Sequence, residues 1–358
     1  MKQYFCVGTY TEPILFGTGE VLQGKGKGIL ICSLEAGEIE VVTSISVRNP
    51  SYLCLDEMRK KIYAVNEMKE YLDAFGGGVT QLSYDESWQM AIEETCNIGG
   101  TDPCHILLAK NGEFLSVANF ASGSVTIVPV GEDGMIDAEH QTLFQHEGKS
   151  IHPIRQTGPH AHATIECPDQ PLMYVPDLGT DTLYIYRYQG DHVELDKDRQ
   201  VTVTAGSGPR SGIFSADGKH FYLICEISSQ VMHFTYEHGN LVKQSTVKTL
   251  PDDYNGENIC SDIHLTPDGT YLYASNRGHD SIVAFKVYED GSLEFIERQG
   301  CRGKTPRNFA VAPTGDYLLC GNQDSDTISV FIINGDGTLD FKETVPFGTP
   351  VCIRFFYK

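Results

Sequence analysis

Residues 261–287, SDIHLTPDGTYLYASNRGHDSIVAFKV, decide the fold. An apolar run leads into a Pro-Asp-Gly turn, and an aromatic run that ends in Asn276 follows it. After a short polar link, a third run alternates apolar and polar residues. Because Asp-Gly supplies the positive φ that tight hairpins need, the segment predicts three consecutive antiparallel strands. The more variable run LEFIERQG at 293–300 predicts a fourth strand.

The same plan recurs along the chain. Each copy starts with a Pro or Ser before an apolar strand, and the copies lie about 44–56 residues apart. Four strands per copy at this spacing are typical of the blades of a β-propeller. The seven copies start at Pro50, Pro103, Pro159, Pro209, Ser261, Pro306 and Pro350.

The last copy, PVCIRFFYK at 350–358, contains only a first strand. The N-terminus supplies the missing three in QYFCVGT, KGILICSL and EIEVVTSI. Pairing the two termini in one blade closes the ring and removes open sheet edges. The sequence therefore predicts an all-β, seven-bladed β-propeller with four-stranded blades, formed as a single domain by residues 1–358. The Gly-rich stretch 12–28 is expected to form a loop on one face.

The net charge, the apolar runs and the cysteines limit the classes of partner and compartment expected for this chain. The net charge of −21 repels nucleic acid, so no such partner is expected. No apolar run is long enough for a spanning helix or a signal peptide. The eleven Cys, without a C-x-x-C pair, are typical of buried thiols in a reducing compartment. We expect a cytoplasmic protein without a membrane partner, either a monomer or a weak homodimer.

The starts of the first strands and the ends of the second strands are expected to meet at one end of the central channel, where loops on a rigid scaffold carry function. Cationic and imidazole groups there, on a strongly acidic chain, predict a pocket for an anionic small molecule. An Asp at the end of a second strand is also typical of a turn cap. The residues at these positions include His105, His160, His162, Asp177, Arg210, Glu226, His264, Arg277 and Arg307.

The stretch Pro159-His160-Ala161-His162 is the strongest local signal. Two His two positions apart on a strand share one face. Such a pair can bind a metal, but no third ligand is evident in the sequence. General acid–base chemistry or anion binding therefore suits the pair better, and neither a metal nor another cofactor is expected.

Several motifs together resemble the lactonase family of seven-bladed propellers, which includes bacterial 6-phosphogluconolactonase and a fungal carboxy-cis,cis-muconate cyclase. The matching motifs occur in order over the whole chain. One departure is Ser211, where family members often carry His. The motifs are Val7-Gly8-Thr9-Tyr10-Thr11, Arg155-Gln156, Pro159-His160-Ala161-His162, Pro176-Asp177-Leu178-Gly179-Thr180-Asp181, Gly208-Pro209-Arg210, Glu226 with Ser228-Ser229, Ser261-Asp262-Ile263-His264, Asn276-Arg277 and Pro306-Arg307.

The resemblance implies hydrolysis of a sugar-acid lactone, with 6-phosphogluconolactone of the pentose phosphate pathway as the leading substrate. His162 would act as the general base, the Arg side chains would hold the anion and the developing oxyanion, and Glu226 would orient a partner. The catalytic group that it implies is His162, Arg210, Glu226 and Arg277. The other residues of the mouth, predicted to bind substrate, are His105, His160, Asp177, His264 and Arg307.

Two alternatives stay open at the level of sequence. The same four residues suit a cycloisomerase that forms a lactone from a muconate-like acid. A non-catalytic propeller that binds a ligand or a protein is the third possibility, since a fold does not fix a function.

Overall fold

In the computed structural model the chain folds into seven four-stranded antiparallel sheets. The structure describes residues 2–15, 19 and 21–357. The first sixteen strands are β1 (Gln3–Thr9), β2 (Ile14–Leu15), β3 (Val21–Leu22), β4 (Ile29–Glu35), β5 (Glu38–Ile45), β6 (Leu53–Asp56), β7 (Lys61–Asn66), β8 (Glu70–Tyr71), β9 (Ala74–Phe75), β10 (Gly78–Tyr84), β11 (Met90–Asn97), β12 (Pro103–Leu108), β13 (Phe114–Asn119), β14 (Ser124–Pro129), β15 (Thr142–Gln145) and β16 (Ile165–Glu166).

The remaining strands are β17 (Leu172–Asp177), β18 (Thr182–Gln189), β19 (His192–Thr202), β20 (Pro209–Phe214), β21 (His220–Cys225), β22 (Gln230–Glu237), β23 (Asn240–Lys248), β24 (Ile259–Leu265), β25 (Tyr271–Arg277), β26 (Ser281–Val287), β27 (Leu293–Gly300), β28 (Pro306–Val311), β29 (Tyr317–Asn322), β30 (Thr327–Ile333), β31 (Leu339–Pro346) and β32 (Pro350–Phe355). Two 3-10 turns, Ala138–His140 and Gln323–Ser325, are the helical elements of these residues. None of the helices described is long and apolar enough to cross a membrane.

The sheets are the blades of a propeller. Blade 1 contains β6, β7, β10 and β11; blades 2 to 6 take the following strands four at a time, from β12 to β31. Blade 7 has the order β32-β1-β4-β5, so it joins the two ends of the chain. The innermost strands of neighbouring blades contact each other, for example β20 with β24, β24 with β28, and β32 with β6.

Closure of the ring follows the predicted pairing. β1 pairs antiparallel with β32, with Phe5 opposite Phe355 and Val7 opposite Ile353. These four side chains are buried in one hydrophobic cluster. The seven-bladed fold and its closure in a blade shared by both termini are confirmed.

The cores lie between neighbouring blades. Val65 and Val79 of blade 1, for example, share a buried cluster with Ile106 and Val117 of blade 2. The second and third strands are buried almost throughout, whereas fourth strands such as β5 are largely exposed. Each blade thus packs both of its faces, which explains the continuous apolar runs of its middle strands.

Two elements differ from the sequence predictions. The first strand of blade 3, expected from Pro159, is reduced to β16 and a single bridge between Ala161 and Asp177. The backbone N–H of His162 donates to the carbonyl of Pro176 at 3.0 Å, but Pro176 has no N–H to return the bond. In the stretch 12–28, β2 and β3 form a short hairpin, while residues 16–18 and 20 lie outside the described residues.

We expect a chain that ends after Thr349, and therefore lacks β32, to lose its cooperative fold. Without β32, β1 exposes unpaired backbone, and both β1 and the inner strand β28 lose the strand that packs against them. Circular dichroism melting measures the effect, with a chain that ends after Phe356 as the control. A cooperative transition of the shorter chain near the wild-type Tm would contradict this role of the termini.

Candidate active site

β-Bulges mark the inner strands where they enter the channel. In blades 2, 4 and 6 the pairing register shifts between the starting proline and the residue two positions later. Proline cannot donate to the ladder, and a bulge turns the side chain of the extra residue away from the sheet. The residues left outside the ladder line one cavity and are Cys104, Arg210 and Arg307.

A buried carboxylate organises the cations at this mouth. Glu226, which directly follows β21, is only 1 % exposed. Its Oε1 accepts a hydrogen bond from Nη2 of Arg155, and its Oε2 accepts one from Nη1 of Arg210. Nη2 of Arg277 donates to the same Oε2 at 2.8 Å. Three guanidinium groups from three parts of the chain therefore converge on one anion.

Further hydrogen bonds fix the two deeper arginines. Nε of Arg210 donates to the carbonyl of Ser261 at 2.7 Å, and Nη2 of Arg277 also reaches the carbonyl of Cys260 at 3.2 Å. Nε of Arg277 is buried and has no hydrogen-bond partner among the described residues. A buried N–H without a partner is costly, so it is available to a ligand that brings an oxygen.

The contacts of His162 define its protonation state. Nη1 of Arg210 contacts Nε2 of His162, and a guanidinium can only donate, so Nε2 is the acceptor. The proton of the neutral ring is then on Nδ1, which lies 3.6 Å from Sγ of Cys104. Nε2 also lies 4.0 Å from Oε2 of Glu226. His162 is thus a neutral imidazole whose lone pair faces the cationic group.

Burial and charge shift the ionisation of the cluster. Burial and the positive charge of Arg210 hold the pKa of His162 well below its ordinary value. Burial alone would raise the pKa of Glu226, but Arg155, Arg277 and Arg210 hold it well below the usual range. Burial beside Arg210 lowers the pKa of Arg277 to about 9, so it stays charged at neutral pH. The cluster therefore carries net positive charge.

A second ion pair lies across the mouth. Arg307 lies 3.6 Å from Oε1 of Glu67 and over the ring of Tyr10, 5.4 Å from its centroid. The hydroxyl of Tyr10 donates to Oε2 of Glu67 at 2.8 Å. Burial raises the pKa of Glu67, against the opposing effect of Arg307. The charges of Arg307 and Glu67 cancel each other, whereas the three arginines around Glu226 leave that cluster with net positive charge.

Below the cations the channel narrows to a small cavity of about 30 Å³, lined among others by His105, His162, Arg210 and Asp262. That volume holds one or two water molecules. His105 packs on the ring of Tyr52, with centroids 4.2 Å apart, and burial lowers its pKa to about 3.

Two predicted substrate-binding residues are placed differently. Asp177 is fully buried: Oδ1 accepts the backbone N–H groups of His160 and Gly179 at 2.8 and 3.0 Å, and Oδ2 lies 2.7 Å from Nδ1 of His146. Its contact with substrate stays a prediction, and in the structure the turn and His146 take both of its oxygens. Nε2 of His264 lies 3.0 Å from Oδ2 of Asp262, which holds this ring against its own strand.

His160 lies beside the cluster rather than in it. Its ring stacks on Phe120, with centroids 4.6 Å apart, and Nδ1 lies 2.9 Å from the carbonyl of Phe120. Phe120 also contacts the ring of His162, at 5.3 Å. The structure therefore brings together His162, Arg210, Glu226 and Arg277, with Arg307 and His105 on the adjoining cavity.

Three residues of the site were not assigned a role from sequence. Arg155 stands in the motif before Pro159, but only the path of its loop brings it to Glu226. Glu67 follows β7 as Glu226 follows β21, so the repeat offered a signal for it. Tyr10 stands in the matching motif at the start of the chain, and its hydroxyl reaches Glu67 from blade 7.

Fold and site together define a seven-bladed propeller with an anion-attracting mouth that presents a neutral histidine. The family model described as "Lactonase, 7-bladed beta-propeller" matches residues 4–355. The chain belongs to this lactonase family.

Named relatives agree. A 6-phosphogluconolactonase of Bacillus subtilis is 31 % identical over 85 % of this chain and 83 % of its own length. A 6-phosphogluconolactonase of Formosa agariphila is 31 % identical over 80 % of this chain and 82 % of its own. The periplasmic gluconolactonase of Pseudomonas aeruginosa superposes with a TM-score of 0.89 at 31 % identity, covering 99 % of both chains.

We expect Glu226→Gln to lower the free energy of unfolding by about 3–5 kcal/mol, because three buried guanidinium groups lose their anion. Urea denaturation measures the change. Asp252→Asn removes an equal charge from an 87 % exposed carboxylate and serves as the control, with no measurable change expected because water screens this exposed charge. Equal stability of the Glu226→Gln variant and the wild type would show that the carboxylate does not hold the cluster together.

Proposed function

We propose that this protein hydrolyses 6-phosphogluconolactone, the lactone of a phosphorylated sugar acid. The observation that carries the proposal is the contact of three arginines and His162 with the buried carboxylate of Glu226. Both 6-phosphogluconolactonase relatives and a gluconolactonase neighbour support a lactone as the substrate.

The cations suit the charge that develops in the reaction. Attack of water on the lactone carbonyl places negative charge on its oxygen. Nε of Arg277 is a buried donor whose bond is still unmade in the free protein, so it can donate to that oxygen. Donors fixed in advance in this way stabilise an oxyanion without reorganising during the reaction.

His162 is the general base of the proposed reaction. Its pKa is depressed, so the ring is neutral and able to accept a proton at neutral pH. In the free protein Nη1 of Arg210 covers the lone pair on Nε2. When Arg210 turns this donor to the substrate, Nε2 is released to a water molecule. Substrate binding thus activates the base.

The size of the cavity supports a substrate position at the mouth of the channel. The cavity below Arg210 and Arg307, at about 30 Å³, admits water but not a sugar ring. The lactone therefore binds above this cavity, against the three arginines. The cavity itself can hold the water that His162 activates.

We place the reaction in the pentose phosphate pathway in the cytoplasm. All eleven cysteines are free, and ten of them are buried, as suits a reducing compartment. No observation favours lactone formation by cyclisation over hydrolysis. A protein that only binds a ligand does not need a proton acceptor beside the cations, so the neutral imidazole of His162 favours catalysis.

Assay with freshly prepared 6-phosphogluconolactone tests the proposal. We expect acid release by the wild type above the spontaneous rate, and we expect His162→Gln to lower kcat by about 10²–10⁴-fold, because the base is lost. His192→Gln, an exposed histidine in β19, is the control.

Melting curves of the same variants separate catalysis from folding. The Tm of His162→Gln is expected to stay within about 4 °C of the wild type. A wild-type protein that is folded but does not accelerate acid release would exclude the proposed activity. An active His162→Gln variant would exclude His162 as the base.

A further inference from the structure

Arg155 differs from the two deeper arginines in its origin. Arg210 and Arg277 belong to strands of blades 4 and 5, whereas Arg155 lies in the long connection 146–164 between β15 and β16. Its side chain is 19 % exposed, compared with 8 % for Arg210 and 10 % for Arg277. Arg155 is thus the cation of the cluster nearest to solvent.

The loop holds Arg155 in place without using its guanidinium. The side chain of Gln156 is fully buried and donates to the carbonyl of Leu178 at 2.8 Å. The backbone N–H of Arg155 donates to Nδ1 of His152 at 3.1 Å. Within the described part of the chain, the guanidinium bonds only to Glu226, through Nη2, which leaves Nε and Nη1 with donors to spare.

Arg155 contacts Glu226 from a different side than the reacting groups do. Arg210, Arg277 and His162 lie against Oε2, while Arg155 binds Oε1. The lactone carbonyl must lie near His162 and Arg277 to react. Because Arg155 binds the other oxygen and is the most exposed of the three arginines, a group of the substrate other than the carbonyl can reach it.

We propose that Arg155 binds a distal anionic group of the substrate, and so selects phosphorylated sugar lactones over neutral ones. This inference rests on the proposed lactonase function. A guanidinium with free donors presents a planar fork that matches a phosphate group. Arg210 and Arg277 donate to Glu226 and to backbone carbonyls, which fixes them beside His162, where the lactone carbonyl reacts.

The test compares two substrates, 6-phosphogluconolactone and glucono-δ-lactone, in the wild type and in Arg155→Gln. We expect the ratio of kcat/KM for 6-phosphogluconolactone to kcat/KM for glucono-δ-lactone to fall by about 10–100-fold in the variant. A fall of this size corresponds to the loss of one charge-assisted hydrogen bond. Arg155→Lys keeps the charge and should recover part of the ratio. Arg187→Gln removes an equal charge from a 52 % exposed side chain in β18 and should leave the ratio unchanged.

Two results would overturn the proposal. An equal loss with both lactones would mean that Arg155 only positions Glu226, and an unchanged ratio would mean that it does not touch the distal group.

Binding of the products separates this proposal from the proposed function. If the wild type hydrolyses neither lactone, the lactonase function fails, but calorimetric titration with 6-phosphogluconate and gluconate still tests Arg155. We expect Arg155→Gln to weaken 6-phosphogluconate about 10–100-fold more than gluconate. Equal weakening of both acids, or none, would overturn the role of Arg155.

Discussion

One buried carboxylate makes the site possible. Three guanidinium groups placed together in the interior would repel one another, and each would carry a desolvation cost. Glu226 lies among them and accepts hydrogen bonds from all three at once. The cluster keeps net positive charge after this pairing, so it still attracts an anion on a chain whose net charge is −21. Burial together with this charge holds the pKa of His162 well below its ordinary value and keeps the ring neutral.

The closed ring decides where these groups meet. Pairing of β1 with β32 fixes the last blade against the first, so that inner strands from all blades surround one channel. Proline at the start of several of these strands, followed by a bulge, turns the next side chain inward. Arg210 and Arg307 reach the mouth by this device, whereas Glu226 and Glu67 reach it from the ends of second strands.

Much of the fold and of the candidate site could be predicted from the sequence. The repeated pattern indicates the propeller fold and shows which residues occupy equivalent positions in each blade. The blade count, the closure and the convergence of His162, Arg210, Glu226 and Arg277 follow from such positions. The contacts of Asp177 could not be predicted, since the same position serves equally well as a turn cap and the buried partner His146 carries no repeat signal. Arg155 was missed because an irregular loop brings it to Glu226, and repeats say nothing about loop paths.

The pH dependence of kcat/KM for 6-phosphogluconolactone tests most directly whether the cationic cluster prepares His162 as a base. This parameter reports ionisations of the free enzyme and of the free substrate, so the phosphate of the substrate, with a second pKa of about 6, is titrated separately and its contribution is divided out. Because burial and Arg210 depress the pKa of His162, the ring stays unprotonated below 6.5, its ordinary value. After subtraction of the spontaneous rate, kcat/KM should therefore remain level as the pH falls from neutrality through 6.5. A decline with an apparent pKa near 6.5 would show an ordinary histidine and contradict the arrangement of charge described for this site.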